Sequence, residues 1–222
     1  MRPVISMVGS AEYKLAKYLD GLIKPFIPGV HMVNSTAEFL DKLKLVSCQP
    51  NNCLVSFDVS SLFTNVPLQE TINTMSEYLY SGNGSSALPF PVSSFKKLMT
   101  VATGGLFMFN DKFFTQVDGV AMGSPLGPTL ANFFLADLEN KLLHNYTGTL
   151  PRCYFRYVDD IFCLFENESQ VAPFLNALNV LHKNLKFTFE MGKGSLPFLN
   201  TLIQIDSRNF RTSVFRKRHI QM

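Results

Sequence analysis

The feature of this sequence that most limits its fold is an apolar segment interrupted by two adjacent aspartates. The mainly apolar residues run from Cys153 to Val158 and from Ile161 to Phe165, with Asp159 and Asp160 between them. Two short apolar runs around a polar dipeptide predict a β-hairpin whose tip carries both carboxylates. Adjacent carboxylates in a tight turn repel each other, and a divalent cation commonly offsets this repulsion. Taken alone, an Asp-Asp pair is more often an ordinary polar turn.

A third aspartate, Asp58, stands in a similar context. It follows the apolar run Cys53–Phe57, which predicts a short buried strand. Acids at the ends of two strands can meet when the strands are neighbours in one sheet. They could then hold two magnesium ions roughly 3.5–4 Å apart, the arrangement that supports in-line phosphoryl transfer.

Helical and strand-like segments are mixed along the whole chain. Apolar periodicity predicts helices over residues 11–22, 36–45, 67–80, 92–102, 129–143 and 171–181. Short apolar or alternating runs predict strands over 53–57 and 186–190 and hairpins over 106–115 and 154–165. A last hairpin is predicted from strands 196–205 and 209–214 around Asp206-Ser207. This order predicts an α+β fold, in which helices pack on one face of an antiparallel sheet.

Composition excludes several classes of protein. Hydrophobic residues make up 46% of the 222 residues and charged residues 17%, which excludes a disordered chain. No run reaches the roughly 18 apolar residues of a transmembrane helix, and the N-terminus lacks the apolar core of a signal peptide. The four cysteines form no CxxC pair and indicate neither a zinc site nor a disulfide framework. We therefore expect a nuclear or cytoplasmic protein that is not secreted and has no membrane partner.

The C-terminal end is the most basic part of a chain whose net charge is only +3. No acid occurs between Arg208 and His219. The basic side chains of this segment are Arg208, Arg211, Arg216, Lys217 and Arg218. On charge alone, such a segment is typical of a solvated tail.

Five sequence blocks resemble, in order, the palm motifs of reverse transcriptases. They are SFDVSSLFTNVPLQETI, QVDGVAMGSPLGPTLANFFLADLE, RYVDDIFCLF, NLKFTFE and LPFLNTLIQI. Their residue sequences are similar to those of the reverse transcriptase domain of Penelope-like retroelements, as is the N-terminal segment RPVISMVGSAEYKLAKYL. The resemblance extends from Arg2 to about Lys217. It implies a ferredoxin-like polymerase palm over residues 51–205, partial fingers over 1–50 and the start of a truncated thumb over 206–222.

The resemblance also implies a metal centre. Asp58 and Asp159 resemble the two metal-binding carboxylates, and Asp160 resembles the supporting acid of the hairpin tip. The carbonyl of Val59 would complete the metal shell. The implied cofactors are two magnesium ions, for which manganese can substitute.

Substrate-binding roles follow from the same resemblance. Phe63, five residues after Asp58, falls where these enzymes place a bulky ring that clashes with a ribose 2′-hydroxyl and so selects deoxynucleotides. Residues 119–128, here named the Gly-rich loop, resemble the loop that supports the template and the nascent base pair. Gly123 and Ser124 belong to this loop. Arg2 resembles the fingers arginine that binds the triphosphate, since a guanidinium fork fits phosphate oxygens.

The remaining motifs concern the leaving group and the nucleic acid. Either Lys183 or Lys186 resembles the palm lysine that protonates pyrophosphate, and the sequence leaves this choice open. Residues 196–199, LPFL, resemble the primer grip. Arg216 and Lys217 resemble the start of the thumb, where basic residues contact the nucleic-acid backbone.

Together these residues predict an RNA-directed DNA polymerase core, a nucleotidyltransferase. Its expected partners are an RNA template, a DNA primer and deoxynucleoside triphosphates. One alternative is an RNA-dependent RNA polymerase, which Phe63 disfavours because a ribose needs a smaller residue there. Another is a non-catalytic nucleic-acid-binding remnant of a retroelement. This second alternative is suggested by the truncated fingers and thumb, whereas the intact Asp58, Asp159 and Asp160 argue against it.

Overall fold

The structure is a computed structural model that describes residues 7–81 and 88–216. These residues form two compact units. The first consists of Met1–Pro28 and Ser61–Leu138, and the second of Gly29–Ser60 and Glu139–Met222. The boundaries predicted for fingers, palm and thumb at residues 50 and 205 are a separate division and stay predictions.

Helices occupy most of the first unit. The α-helices of the described residues are α1 (Ala11–Ile23), α2 (Thr36–Lys44), α3 (Leu62–Asn65), α4 (Leu68–Tyr80), α5 (Val92–Thr103), α6 (Gly127–Asn145) and α7 (Val171–Val180). In the first unit, α1 and α4 both contact α5. Their apolar faces form a buried core that includes Leu19, Ile72 and Phe95. The sequence predicted all of these helices except the short α3.

The strands of the described residues form three antiparallel sheets. They are β1 (Cys53–Val59), β2 (Leu106–Phe109), β3 (Lys112–Thr115), β4 (Cys153–Tyr157), β5 (Asp160–Phe165), β6 (Phe187–Gly192), β7 (Ser195–Phe198), β8 (Thr201–Asp206) and β9 (Asn209–Val214). The strand order is β4-β5-β1-β6 in the central sheet of the second unit. A second sheet there has the order β7-β8-β9, and β2-β3 is a hairpin of the first unit.

The two faces of the central sheet are covered differently. On one face, Phe57 and Phe165 pack against Phe174 of α7. On the other face, Phe162 packs against Phe39 of α2 and Phe198 of β7. Aromatic side chains in such edge and tilted contacts bury large areas and fix the elements that carry them. The predicted α+β class with an antiparallel sheet is confirmed, and α2 and the second sheet add a layer over part of the opposite face.

One predicted hairpin is wrong in detail. The segment expected as a single strand over residues 196–205 is two strands, β7 and β8, joined at Leu199-Asn200. Both turn residues have positive φ, 45° at Leu199 and 60° at Asn200. Asn tolerates this conformation, whereas Leu rarely adopts it, so Leu gives no turn signal in the sequence. Pairing of Phe198 with Thr201 closes the turn.

The turn of the β2-β3 hairpin is confirmed. Asn110 and Asp111 have φ values of 51° and 58°, as a two-residue hairpin turn of this hand requires. Among the helices that the structure describes, none is both long and apolar enough to cross a membrane.

Candidate active site

Antiparallel pairing of β1 with β5 brings two of the predicted acids together. Asp58 lies directly opposite Asp160 in the ladder. Residues in this relation project from the same face of a sheet, with Cβ atoms roughly 4.5–5.5 Å apart. Both residues are exposed. The two acids therefore share one end and one face of the central sheet.

The third acid lies in the adjoining turn. Asp159 follows Tyr157 and Val158, and its carbonyl oxygen accepts a hydrogen bond of 3.2 Å from the backbone amide of Val59. This bond continues the β1-β5 contact by one row beyond Asp58. The four residues Tyr157–Asp160 therefore form a turn, here named the catalytic turn, which is hydrogen-bonded to the end of β1.

Asp58 and Asp160 border an open cleft of about 460 Å³ in the second unit. Its lining residues are Ser56, Phe57, Asp58, Asp160, Thr188, Phe189, Glu190, Pro197, Phe198, Leu199 and Phe215. The segment Pro197–Leu199 belongs to the predicted primer grip. The second sheet therefore brings that segment and the acids to the same cleft, although it is distant from Asp58 in the sequence.

One of the two candidate lysines lies at this end of the sheet. The amide of Ser60, two residues after Asp58, donates a hydrogen bond of 2.9 Å to the carbonyl oxygen of Lys186. Lys183 lies three residues earlier, in the segment that follows α7. Both lysines are exposed. The backbone of Lys186 therefore lies beside the end of β1 that carries Asp58.

The residues at the strand end suit a hard divalent cation. Within residues 7–81 and 88–216, no group of three or more His, Cys, Asp or Glu side chains could hold a metal ion by itself. Magnesium commonly takes only one or two carboxylates from a protein and completes its shell with water and substrate phosphates. Asp58, with Asp160 opposite it on the open cleft and Asp159 in the adjoining turn, offers the carboxylates that this mode of binding uses.

In the first unit, Phe63 lies on α3 and is held by the Gly-rich loop. Its carbonyl oxygen accepts a hydrogen bond of 2.7 Å from the amide of Val120. A Cβ atom added at Gly127 would lie 3.5 Å from the Phe63 ring. The ring is therefore in close contact with the start of α6, and it remains partly exposed.

Gly119 allows this close approach of the loop to α3. Its φ is +80°, and an added Cβ would lie 2.6 Å from the carbonyl oxygen of Thr64. Only glycine fits such a position without strain. Asp118 adds a further connection, because its Oδ1 accepts hydrogen bonds from the amides of Leu68 (3.0 Å) and Gly119 (2.8 Å).

The two other predicted loop residues differ in exposure. Gly123 is exposed and has a φ of 109°. Ser124 is buried, with 6% of its surface accessible, and its Oγ has no hydrogen-bond partner. Ser124 and Ser10, whose Oγ is also without a partner, line a cavity of about 50 Å³. This volume suits a few water molecules, because each needs roughly 10–15 Å³ by this measure.

Comparison with known families identifies the chain. The profile of the reverse transcriptase (RNA-dependent DNA polymerase) family matches residues 1–198. The chain belongs to the reverse transcriptase family. A search of curated proteins found no match.

Solved structures show the same fold. Telomerase from Candida albicans, in complex with a TWJ fragment of telomeric RNA, has a TM-score of 0.63 at 11% identity, and the match covers 96% of this chain and 39% of that one. A truncated apo telomerase from Candida tropicalis has a TM-score of 0.61 at 14% identity, covering 93% and 46%. The BmCPV RNA-dependent RNA polymerase has a TM-score of 0.52 at 13% identity, covering 87% and 19%. The predicted palm fold is thereby confirmed, in a chain that spans less than half of each telomerase chain.

The remaining predicted site residues that the structure describes are divided between the two units. Phe63, Gly123 and Ser124 lie in the first unit and Asp58 in the second, so the predicted sugar and base-pair contacts stay predictions. Arg216 is exposed and directly follows Phe215 of the cleft. Arg2 and Lys217 lie outside the described residues.

A buried polar group behind the catalytic turn was not predicted from the sequence. Arg156 has no accessible surface, and its Nε donates a hydrogen bond of 2.7 Å to Oε1 of Glu139. The hydroxyl of Tyr154 donates to the same oxygen, also at 2.7 Å. The available signal was a charged residue within an otherwise apolar strand, because Arg is almost never fully buried unless it is paired.

Proposed function

We propose that this chain is the catalytic core of an RNA-directed DNA polymerase. It would extend the 3′-hydroxyl of a DNA primer along an RNA template with deoxynucleoside triphosphates. The observation that carries the proposal is the pairing of Asp58 with Asp160 beside the turn that holds Asp159. Membership of the reverse transcriptase family supports the same chemistry.

Under this proposal, Asp58, Asp159 and the carbonyl of Val59 hold two magnesium ions, and Asp160 supports them. Bound magnesium, or manganese in its place, would stabilise the charge that develops on the primer oxygen and the leaving pyrophosphate. The open cleft beside the acids leaves room for a primer terminus. Pro197–Leu199 would then position that terminus from the adjoining sheet.

Other residues of the chain would orient the nucleotide. Phe63 would exclude a ribose 2′-hydroxyl, and Gly123 and Ser124 would support the nascent base pair. We assign the proton transfer to pyrophosphate to Lys186, because its backbone lies beside the strand end that carries Asp58. Arg2 would bind the triphosphate.

We further propose that the chain derives from a Penelope-like retroelement and acts in the nucleus or cytoplasm. The resemblance of the five sequence blocks to Penelope-like reverse transcriptase domains supports this origin. Template binding is supported by the RNA complex of the structurally similar Candida albicans telomerase.

The first prediction concerns the acids and uses primer extension on an RNA template, with magnesium or manganese. Asp159→Asn and Asp58→Asn should each lower kcat by about 10²–10³-fold or more, since metal-based charge stabilisation contributes several kcal/mol. Asp41→Asn is the matched control, because Asp41 is an exposed residue that pairs with Lys44 at the surface. This control should retain full activity.

The outcome for the unmodified chain separates the proposed activities. Extension with deoxynucleotides that both active-site variants abolish supports the proposal. Primer-template binding without extension, under either metal, would instead indicate a non-catalytic remnant. Extension that survives Asp159→Asn would contradict the assigned site.

A second candidate function is RNA-dependent RNA polymerisation. The fold shared with the BmCPV RNA-dependent RNA polymerase is the observation that favours it. Phe63 is the observation against it, because a ring at the sugar position would exclude ribose. Preferential incorporation of ribonucleotides by the unmodified chain would decide for this second function.

A further inference from the structure

The residue that precedes the two hairpin acids has an unusual backbone conformation. Val158 has a φ of 55°. A β-branched residue rarely adopts this left-handed region, because its Cβ substituents crowd the backbone. Such a conformation persists only where the surrounding structure holds it. The catalytic turn therefore needs a partner that keeps Val158 in place.

The structure supplies such a partner in Arg156. Its Nη1 donates a hydrogen bond of 3.1 Å to the carbonyl oxygen of Val158. Its Nε donates a hydrogen bond to Glu139, and the same Glu139 oxygen also accepts a hydrogen bond from the hydroxyl of Tyr154. The guanidinium therefore connects α6 to the catalytic turn.

The backbone of Arg156 is held as firmly as its side chain. Its amide donates to the carbonyl oxygen of His31 at 2.8 Å, and its carbonyl oxygen accepts from the amide of Val33 at 2.8 Å. Arg156 also pairs with Ile161 across the β4-β5 ladder. The guanidinium is thus built on a backbone that is fixed from both sides.

Arg156 acts from the side of the sheet opposite the acids. The ladder pairs Arg156 with Ile161, whereas Asp160 pairs with Tyr157 and with Asp58. Side chains alternate between faces along a strand, so Ile161 and Arg156 share the face that Asp160 and Asp58 do not. Arg156 is therefore not placed to contact a substrate in the cleft.

The choice of arginine suits this position. A buried ion pair is by itself weak evidence of a stabilising role. A planar guanidinium, however, offers several N–H donors in fixed directions, so it can serve a carboxylate and a carbonyl at the same time. Burial, followed by the Glu139 carboxylate, raises the pKa of the Tyr154 phenol well above its ordinary value. The Tyr154 hydroxyl therefore stays protonated and remains a donor.

We propose that Arg156 is a positioning residue of the catalytic turn, held in place by Glu139 and Tyr154. It fixes the Val158 carbonyl, and thereby the conformation that presents Asp159 and Asp160 to the metal ions. The catalytic consequence rests on the proposed polymerase function. The effect on the turn does not, because it concerns only the conformation of the folded chain.

The test of the turn is amide hydrogen exchange, measured by NMR on the full chain. The amide of Val59 reports the turn because it donates to the Asp159 carbonyl. The amide of Arg152 reports the sheet, because it donates to the Leu164 carbonyl at 2.7 Å, at the other end of the same hairpin. Arg156→Lys should speed exchange of Val59 by at least about tenfold, with little change at Arg152.

The test of catalysis is steady-state primer extension. Arg156→Lys should lower kcat by about 10–100-fold, the range found for residues that orient metal ligands. It should raise the magnesium concentration needed for half-maximal rate and leave KM for primer-template unchanged. Val158→Gly should reduce this loss by several-fold, because glycine adopts positive φ without strain and needs no partner to hold it.

A milder pair of variants covers the case in which Arg156→Lys fails to fold. Tyr154→Phe removes only the hydroxyl that donates to Glu139. Tyr80→Phe is its matched control, because the Tyr80 hydroxyl donates a hydrogen bond of 2.8 Å to the Phe90 carbonyl in the other unit. Tyr154→Phe should speed exchange at Val59 and lower kcat, whereas Tyr80→Phe should do neither.

The outcomes separate this inference from the proposed function. Equal acceleration at Val59 and Arg152, or none at either, would show that Arg156 serves only general stability and would overturn the inference. An inactive unmodified chain whose Val59 exchange still responds to Arg156→Lys would refute the polymerase proposal and keep the positioning role. If the unmodified chain is active and its kcat is unchanged by both Arg156→Lys and Tyr154→Phe, the catalytic role of Arg156, Glu139 and Tyr154 would be refuted.

Discussion

Phe63 is the residue whose predicted role depends most on its immediate surroundings. Val120 holds its backbone, and its ring lies against the start of α6. These contacts leave the ring few alternative positions, because side chains in packed surroundings keep one rotamer. A fixed ring is what steric selection against a ribose hydroxyl requires.

We predict that Phe63→Ala relaxes sugar selection. The ratio of kcat/KM for ribonucleotides to that for deoxynucleotides should rise by about 10–200-fold, the range for a steric contact in an apolar pocket. The measurement is competitive primer extension with both nucleotide classes. Phe90→Ala serves as the control, because Phe90 is a partly buried ring of the same unit that stacks on Phe95. An unchanged ratio in an active Phe63→Ala enzyme would remove the assignment.

The cysteine thiols are a second feature at the residue scale. All four, Cys48, Cys53, Cys153 and Cys163, are free and buried. Burial raises the pKa of each thiol, to about 12 at Cys153. The reactive thiolate is therefore scarce at neutral pH.

We predict that iodoacetamide at pH 8 modifies none of the four cysteines rapidly in the folded protein. In denaturant, where the thiols regain ordinary pKa values near 8.5, all four should react within the same time. Mass spectrometry after timed quenching measures both states. Rapid modification of Cys153 or Cys163 in the folded chain would contradict the buried environment.

At the scale of elements, the junction between α3 and the Gly-rich loop is closely packed. Gly119 combines a positive φ with a close approach to the Thr64 carbonyl. Gly9 has a similar φ of +90°, but an added Cβ there would meet nothing within 4 Å. An alanine at Gly9 would therefore introduce backbone strain alone, whereas an alanine at Gly119 would introduce both backbone strain and steric overlap.

We predict that Gly119→Ala destabilises the protein more than Gly9→Ala does. Backbone strain alone should lower the free energy of unfolding by about 1–2 kcal/mol in both variants. The overlap at Gly119 should add about 1–3 kcal/mol, as overpacking does. Urea titrations of both variants measure the difference. Equal losses would show that the loop moves away from α3 at little cost.

At the scale of the whole molecule, the second unit carries both the acids of the cleft and exposed basic residues of the C-terminal segment. Acids border the cleft, whereas Arg208, Arg211 and Arg216 are exposed on and after the second sheet. Lys217, Arg218 and His219 of the same basic segment lie outside the described residues. A net charge of only +3 therefore understates the positive charge at this end of the chain.

We predict that this basic segment gives primer-template binding a measurable salt dependence. If about four of its side chains meet phosphates of a duplex, the plot of log K against log salt should have a slope of about −3.6. Replacing Arg216 and Lys217 by Ala should make the slope shallower by about 1.8, whatever the template sequence. Fluorescence anisotropy over a salt series measures both. A slope unaffected by the double change would show that the segment is only a solvated tail.

Local sequence determined most of the helices and strands of this protein and the positions of its candidate acids. Helical periodicity gave the bounds of α1 and α4 to within about a residue or two, which is the ordinary uncertainty of helix ends. The Asn110-Asp111 turn was predictable because its residues tolerate positive φ. The strand-end positions of Asp58 and Asp159 could be predicted because apolar runs and acids are properties of neighbouring residues.

Only the tertiary structure decided which distant residues meet. The register that sets Asp58 opposite Asp160 and the ion pair of Arg156 with Glu139 join segments whose pairing no local pattern specifies. Strand register and the burial of a charge depend on what packs against each face, and that is fixed by the whole chain at once. The candidate acids could therefore be predicted from the sequence, whereas the contacts that hold them in place depend on the tertiary structure.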